Sequence, residues 1–288
     1  VRLDDDIVSR YVAFYQLFNS EKERLLVGGE VDPALVDLYY EMLNDSKLMS
    51  LVSSQFLAIF ESVEDEKYAH QYDKLFEVKK KISLAIATKY KHELMNLYSV
   101  YSKKKAVGNY VEKTLQEIKI RQVKNLCLAL LSKLDTLEIR KLVKKQYLEG
   151  TCATDTNLAL SLYLDSSAKD KMKILKDAEE AAKSLVAWES FLYIVGRNDS
   201  ADYLKVIKRM EKSSRFRIEQ ANDQRGLYLS FAGNRKKSLL TEEGLSFLKS
   251  KIIQLAGINE YTTGHLLKVM GSVDKMEKKH SKRVIKMM

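Results

Sequence analysis

Apolar residues recur three and four positions apart through almost the whole chain, and that period commits it to helices. Ile7, Tyr11, Phe14 and Phe18 share one face behind Asp4, Asp5 and Asp6, acidic residues suited to a helix N-terminus. Asp32 and Pro33 read as the N-cap and first-turn proline of a helix running through Val36, Tyr39 and Leu43. Ile86, Tyr90, Leu94, Leu97 and Tyr101 make a stripe predicted to lie on one long helix, and Val123, Cys127, Leu130 and Leu134 make another. Thr241, followed by Glu242 and Glu243, opens a helix lined by Leu245, Leu248 and Ile252 and ended by Gly257. Phe191 to Val195 is the one run a strand could also use, but its neighbours read helical.

The breakers agree with the period. Pro33 is the only proline, and 11 glycines in 288 residues are too few for the many tight turns of an all-β chain. Connectors such as Asn44-Asp45-Ser46, Gly150-Thr151 and Arg197-Asn198-Asp199-Ser200 are short and polar, and no long Gly/Ser/Pro linker divides the chain. Many helices joined by short loops predict an all-α array of antiparallel helix pairs, armadillo/HEAT-like, over residues 1–288 as a single helical domain. No segment repeats cleanly, so the superhelical array is expected to be irregular. A 45% hydrophobic content is ample for a core, which excludes a disordered chain.

Charge and cysteine usage bound the partners. A net charge of +10 suits nucleic acid, an anionic surface or an acidic protein, or else lysines spread over solvated helix faces. The runs Lys79-Lys80-Lys81 and Lys103-Lys104-Lys105 lie far apart, and aromatics do not interleave with them as a base-stacking platform requires. Nucleic acid is therefore not the expected partner. Lys275 to Lys286 form a basic amphipathic tail, by default a solvated terminal helix. Cys127 and Cys152 form neither a metal-ligand spacing nor a disulfide framework, and Cys127 sits in the apolar run Leu126 to Leu131. A reducing, cytoplasmic setting follows. No apolar run approaches the roughly 20 residues that span a bilayer, and Val1 opens no signal-like segment, so no membrane association is expected.

Catalytic patterns are missing. His92-Glu93-Leu94-Met95-Asn96 falls one residue short of H-E-x-x-H, in which two imidazoles four apart must face one metal. Asn96 is a poor zinc ligand, and His92 lies off the apolar stripe, as a surface histidine would. No G-x-S-x-G, Walker or dinucleotide glycine pattern occurs. Glu179-Glu180 and Asp4 to Asp6 read as solvated carboxylates. The chain is expected to carry no catalytic residue, no metal site and no cofactor of its own.

Several separated segments, in order, resemble the C-terminal helical domain of aminopeptidase N-type zinc peptidases, the alanyl aminopeptidase family. Leu3-Asp4-Asp5-Asp6, then Arg10 and Ala13, resembles the family's opening helix, and Val31-Asp32-Pro33-Ala34-Leu35 its I-D-P-A-L turn. Arg121-Gln122-Val123-Lys124-Asn125-Leu126-Cys127-Leu128 is similar to R-x-L-[KR]-N-x-C-L, and Ala153-Thr154-Asp155 with Ala159-Leu160 to M-T-D followed by A-L. Asn222, Arg225, Leu227 and Phe231 fit N-P-N-x-x-R-x-L-x-x-x-F, with Gln220 and Ala221 in place of its first two residues. Asn259 to His265 stand where the family has N-P-Q-x-A-x-R, Tyr261 replacing a glutamine and His265 an arginine. Leu240 replaces a family histidine.

The resemblance implies a part of an enzyme. The zinc and its ligands would belong to an upstream catalytic domain of the same polypeptide, absent from this chain. The helical domain would close over that site as a bowl, admitting peptide substrates and favouring removal of single N-terminal residues. Arg225, Asn222, Tyr261 and His265 are the residues it places toward the substrate chamber. A guanidinium suits peptide carbonyls or a terminal carboxylate, Asn222 could orient it, and Tyr261 and His265, four apart, share a helix face. For Arg225 a salt bridge between helices is the alternative role, and for His265 a plain surface position. The +10 charge and basic tail leave a second reading open, a helical-repeat scaffold whose basic face binds an acidic protein or RNA.

Overall fold

The computed structural model describes the chain apart from residues 2, 3, 59–65, 272 and 288, and apart from the side chains of 66, 67 and 69. Leu3 of the opening-helix match thus lies outside the described residues. Every regular element among those residues is helical, as the apolar period requires. The chain, read above as one domain, divides by contact into two compact units: Val1–Ser62 with Lys74–Ile139, and Val63–Asp73 with Arg140–Met288.

In unit 1, α1 (Ile7–Leu26) starts where Asp6 Oδ2 accepts the Ser9 N–H at 2.7 Å. Of its stripe Phe14 is buried, while Tyr11 stays 41% exposed with its ring edge against Phe56. The Asp32-Pro33 start behaves as expected, Asp32 Oδ1 accepting the Ala34 N–H at 2.8 Å at the head of α2 (Pro33–Asn44). That helix buries Val36, Tyr39 and Leu43, and the Tyr39 hydroxyl donates to the Leu57 carbonyl at 2.8 Å. Next comes α3 (Ser46–Val52).

One expectation changes here. The Ile86–Tyr101 stripe is carried by two helices, α4 (Tyr72–Lys89) and α5 (Lys91–Lys103), which meet at Tyr90. Its ring stacks on Tyr40, centroids 4.1 Å apart and planes 12° from parallel, and its hydroxyl donates to Asp37 Oδ1 at 2.6 Å. That bond to Asp37, with burial, pushes the phenol up to about 12. A tertiary anchor thus breaks a period that alone would continue. Beside α5 packs α6 (Tyr110–Leu131), opened by a reciprocal Asn109–Glu112 capping box and burying Val123, Cys127, Leu128 and Leu130. Each such buried aliphatic side chain stabilises by about 1.5–3 kcal/mol. Burial pushes the Cys127 thiol up to about 12, leaving it a small core hydrophobe.

Unit 2 takes up within α7 (Leu137–Glu149) and continues through α8 (Ala153–Asp165), α9 (Lys171–Ala181), α10 (Leu185–Gly196) and α11 (Tyr203–Glu211). The ambiguous run Phe191–Val195 is helical, inside α10. Phe191, Leu192, Ile194 and Val195 are all buried, so the run is apolar because the helix is covered nearly all round. Then α12 (Ala221–Gln224) passes through a π-helical turn (Arg225–Leu229) into α13 (Ser230–Gly233), followed by α14 (Arg235–Ser238).

Thr241 caps α15 (Glu242–Ala256), accepting the Gly244 N–H at 3.1 Å, and α16 (Glu260–Lys268) and α17 (Lys278–Met287) follow. The basic tail, expected to be solvated, is docked in its own unit. His280 and Val284 are buried, and Arg283 donates to the Leu239 and Leu240 carbonyls at 3.2 and 2.8 Å. Among the described residues no helix is long and apolar enough to cross a membrane.

Candidate functional site

Two glycines let α10 and the π turn approach more closely than side chains would permit. A Cβ on Gly196 would lie 2.3 Å from the Leu227 carbonyl oxygen, and one on Gly226 would lie 2.8 Å from Leu192 Cβ. Four consecutive polar residues, Asn222-Asp223-Gln224-Arg225, lead into this contact, and a packed helix cannot turn all four outward. Asp223 and Gln224 face in. Asp223 Oδ1 accepts the Trp188 indole N–H at 2.9 Å and Oδ2 the Arg217 backbone N–H at 2.8 Å. Gln224, fully buried, donates to the Ile218 carbonyl at 2.6 Å and accepts from Asn259 Nδ2 at 2.7 Å. Asn259 in turn caps α16, its Oδ1 accepting the Thr262 N–H at 3.1 Å.

With its neighbours fixed inward, this segment turns Asn222 and Arg225 out to solvent. Arg225 Nη2 donates to Asn222 Oδ1, and Asn222 Nδ2 donates to Glu189 Oε1, giving a line of guanidinium, amide and carboxylate. Arg225 therefore pairs with the amide, and the carboxylate is reached one residue further on. Asn222 borders a cleft of about 350 Å³ that is also lined by Lys183, Trp188, Glu189, Arg215 and Arg217. The Arg215 guanidinium lies 4.3 Å over the Trp188 ring and donates to the Glu179 and Ala182 carbonyls, both at 2.6 Å, closing the C-terminal end of α9.

Tyr261 and His265 do share a face of α16, their ring centroids 4.2 Å apart. His265 Nδ1 lies 2.9 Å from the Tyr261 carbonyl oxygen. A carbonyl only accepts, so Nδ1 carries the proton and a neutral ring keeps Nε2 as its acceptor. Tyr261 is 65% exposed. The segments that carry the two pairs are linked by the Asn259–Gln224 hydrogen bond.

This arrangement can bind and orient; it holds no paired nucleophile and base. The sequence reading missed Trp188, Glu189, Asp223 and Gln224; the run of four polar residues was the available signal for Asp223 and Gln224, and Trp188 and Glu189, on α10, had none. His92 and Asn96 are exposed on α5. A larger cavity of about 870 Å³ lies in unit 1 between α1 and α2, lined by Leu17, Glu21, Arg24, Leu35 and Leu38, and includes none of the four proposed residues. Among the described residues, Asp73, Glu277 and His280 form one group whose ligand atoms all lie within 4.8 Å of one another.

No curated protein matches the chain. Among solved structures, it is similar to aminopeptidase A of Legionella pneumophila, crystallised in complex with aspartic acid, with a TM-score of 0.84 and 21% identity. The match covers 99% of this chain and 35% of that one, so this chain spans about a third of the length of the protein it resembles. At that identity the likeness establishes the fold. The family profile described as a domain of unknown function (DUF3458_C) with ARM repeats matches residues 1–288, the whole length. The chain belongs to that family, the ARM-repeat C-terminal helical domain of aminopeptidase N-type proteins.

Proposed function

We propose that this chain is the non-catalytic domain that caps the active-site chamber of a zinc-dependent, cytoplasmic aminopeptidase and limits access to peptide N-termini. The whole protein would remove N-terminal residues from peptides, with zinc and its ligands in an upstream catalytic domain of the same polypeptide. There the metal would activate water against the peptide carbonyl. The observation that carries this reading is the family match over residues 1–288, and the fold shared with aminopeptidase A supports it.

Asn222, Arg225, Tyr261 and His265 are the side chains proposed to face peptide substrate. Arg225 would hold peptide carbonyls or a terminal carboxylate through charge-assisted hydrogen bonds, and Asn222 would aim it through the hydrogen bond it already accepts. Tyr261 and His265 would form an aromatic wall with one free imidazole acceptor.

Two measurements test the proposal. The coding sequence upstream of Val1 should contain H-E-x-x-H with a downstream glutamate; a gene without a zinc-peptidase segment ends the reading. In the full polypeptide, Arg225→Ala should raise KM for longer peptides by about tenfold, the loss of one charge-assisted hydrogen bond. Turnover of single-residue amides and bound zinc should be unchanged. An equal change at every substrate length removes Arg225 from the site.

A further inference from the structure

Away from that cleft, but still in unit 2, α17 meets the start of α4. Asp73 sits in the first turn of α4, Glu277 immediately precedes α17, and His280 lies in its first turn, three residues after Glu277. The His280 side chain is 10% exposed, and its buried Nε2 has no hydrogen-bond partner. That nitrogen points at Asp73 Oδ2, 3.7 Å away, and Glu277 Oε2, 3.8 Å away, too long for hydrogen bonds. One cation already sits on both oxygens: Lys279 Nζ lies 2.9 Å from Asp73 Oδ2 and 3.1 Å from Glu277 Oε2.

We propose that Asp73, Glu277 and His280 form a binding site for a divalent first-row transition metal, for which the Lys279 ammonium is the built-in competitor. One imidazole and two carboxylates form a mixed nitrogen and oxygen donor set of the kind Zn²⁺ and Co²⁺ accept. Bonds of roughly 2.1 Å in a tetrahedral arrangement place ligand atoms about 3.4 Å apart. The two imidazole–carboxylate separations, 3.7 and 3.8 Å, therefore need to close by only a few tenths of an ångström, and the two carboxylate oxygens, within 4.8 Å of each other, by at most about 1.4 Å. Glu277 and His280, three apart at the head of α17, already bring their ligand atoms to 3.8 Å. Lys279 is 58% exposed, so it can leave into solvent still protonated.

The remaining adjustment is at Nδ1. Arg283 Nη2 lies 3.1 Å from it and can only donate, so Nδ1 is the acceptor and the ring proton is on Nε2. Ligation moves that proton to Nδ1, and Arg283 keeps its two carbonyl acceptors on Leu239 and Leu240. No net proton is gained or lost. The position lies outside the proposed peptide-facing residues and does not depend on the proposed function.

Titration of the purified 288-residue chain with Zn²⁺, and with Co²⁺ followed by visible absorption, tests the site. The wild type should bind one metal per chain. Lys279→Met keeps the stem and removes the charge, so it should bind at least about tenfold tighter. Asp73→Asn should bind at least about tenfold weaker, since losing even an outer-shell partner of a metal ligand typically costs that much. Opposite shifts in two variants of equal melting temperature support the site, since damage to the fold would weaken both. Binding that survives Asp73→Asn, a Lys279→Met variant no tighter than wild type, or no binding to that variant below about 1 mM overturns it.

Discussion

The two pairs of proposed peptide-facing residues are built on opposite principles. Asn222 and Arg225 flank two buried polar residues, and each of those has two hydrogen-bond partners beneath it. Tyr261 and His265 have chiefly each other, on a nine-residue helix whose buried side is Thr262, Thr263 and Leu266. The first pair is held by what lies under it, the second by helix geometry alone. Pre-organisation of that first kind lowers the ordering cost of binding, whereas the second leaves side chains free to adapt. Arg225 is therefore suited to an invariant feature of a ligand, such as backbone or terminal carboxylate, and Tyr261 with His265 to a variable one.

The sharpest way to break this contrast is to remove the support of the first pair. Asp223→Ala strands the buried Trp188 indole N–H and the Arg217 backbone N–H together, at about 1–3 kcal/mol for each orphaned donor. We expect a loss of about 3 kcal/mol in chemical denaturation, and quenching of Trp188 fluorescence by added iodide at lower concentration than in the wild type. A loss under about 1 kcal/mol would mean water replaces the carboxylate and the support is not fixed. Gly196→Ala follows in size. Its new methyl lies 2.3 Å from the Leu227 carbonyl oxygen, which is backbone and cannot rotate aside, so α10 and the π turn must separate. Overpacking of this kind costs about 1–3 kcal/mol, and amide exchange should quicken at Leu227 to Ser230 before it quickens elsewhere.

The same contrast explains what could be read in advance. The helices, the Asp32 and Thr241 caps and the Tyr261–His265 face follow from spacing within one element, so sequence alone reveals them. The break at Tyr90 does not, because its causes, Asp37 and Tyr40, stand some fifty residues earlier. The docking of α17 was hidden for the same reason: Lys279 finds Asp73 across 206 residues, and Arg283 finds carbonyls that carry no sequence signature. With Lys279 paired to Asp73 and Glu277 and Arg283 bound to two carbonyls, the tail also presents less free charge to an acidic partner than its composition suggested. For Asn222 and Arg225, motif resemblance supplied the positions, while Asp223 and Gln224 were visible only as an unexplained polar run.

Tyr261→Ala carries the smallest expected effect and is the cleanest check on the second pair. Tyr261 is 65% exposed, so truncation removes little buried area, and its contact partner His265 is only half-buried. Ala is a better helix former than Tyr, which offsets part of that contact. Stability should therefore change by no more than about 0.5 kcal/mol. The His265 hydrogen bond to residue 261 uses its backbone carbonyl, so the imidazole keeps its tautomer and loses only its neighbour's face. In proton NMR, the His265 ring signals should lose their ring-current shift while the Thr262 and Thr263 amides stay in place. If those amides move as well, or if the loss matches that of Asp223→Ala, Tyr261 is structural, and both pairs are held from beneath after all.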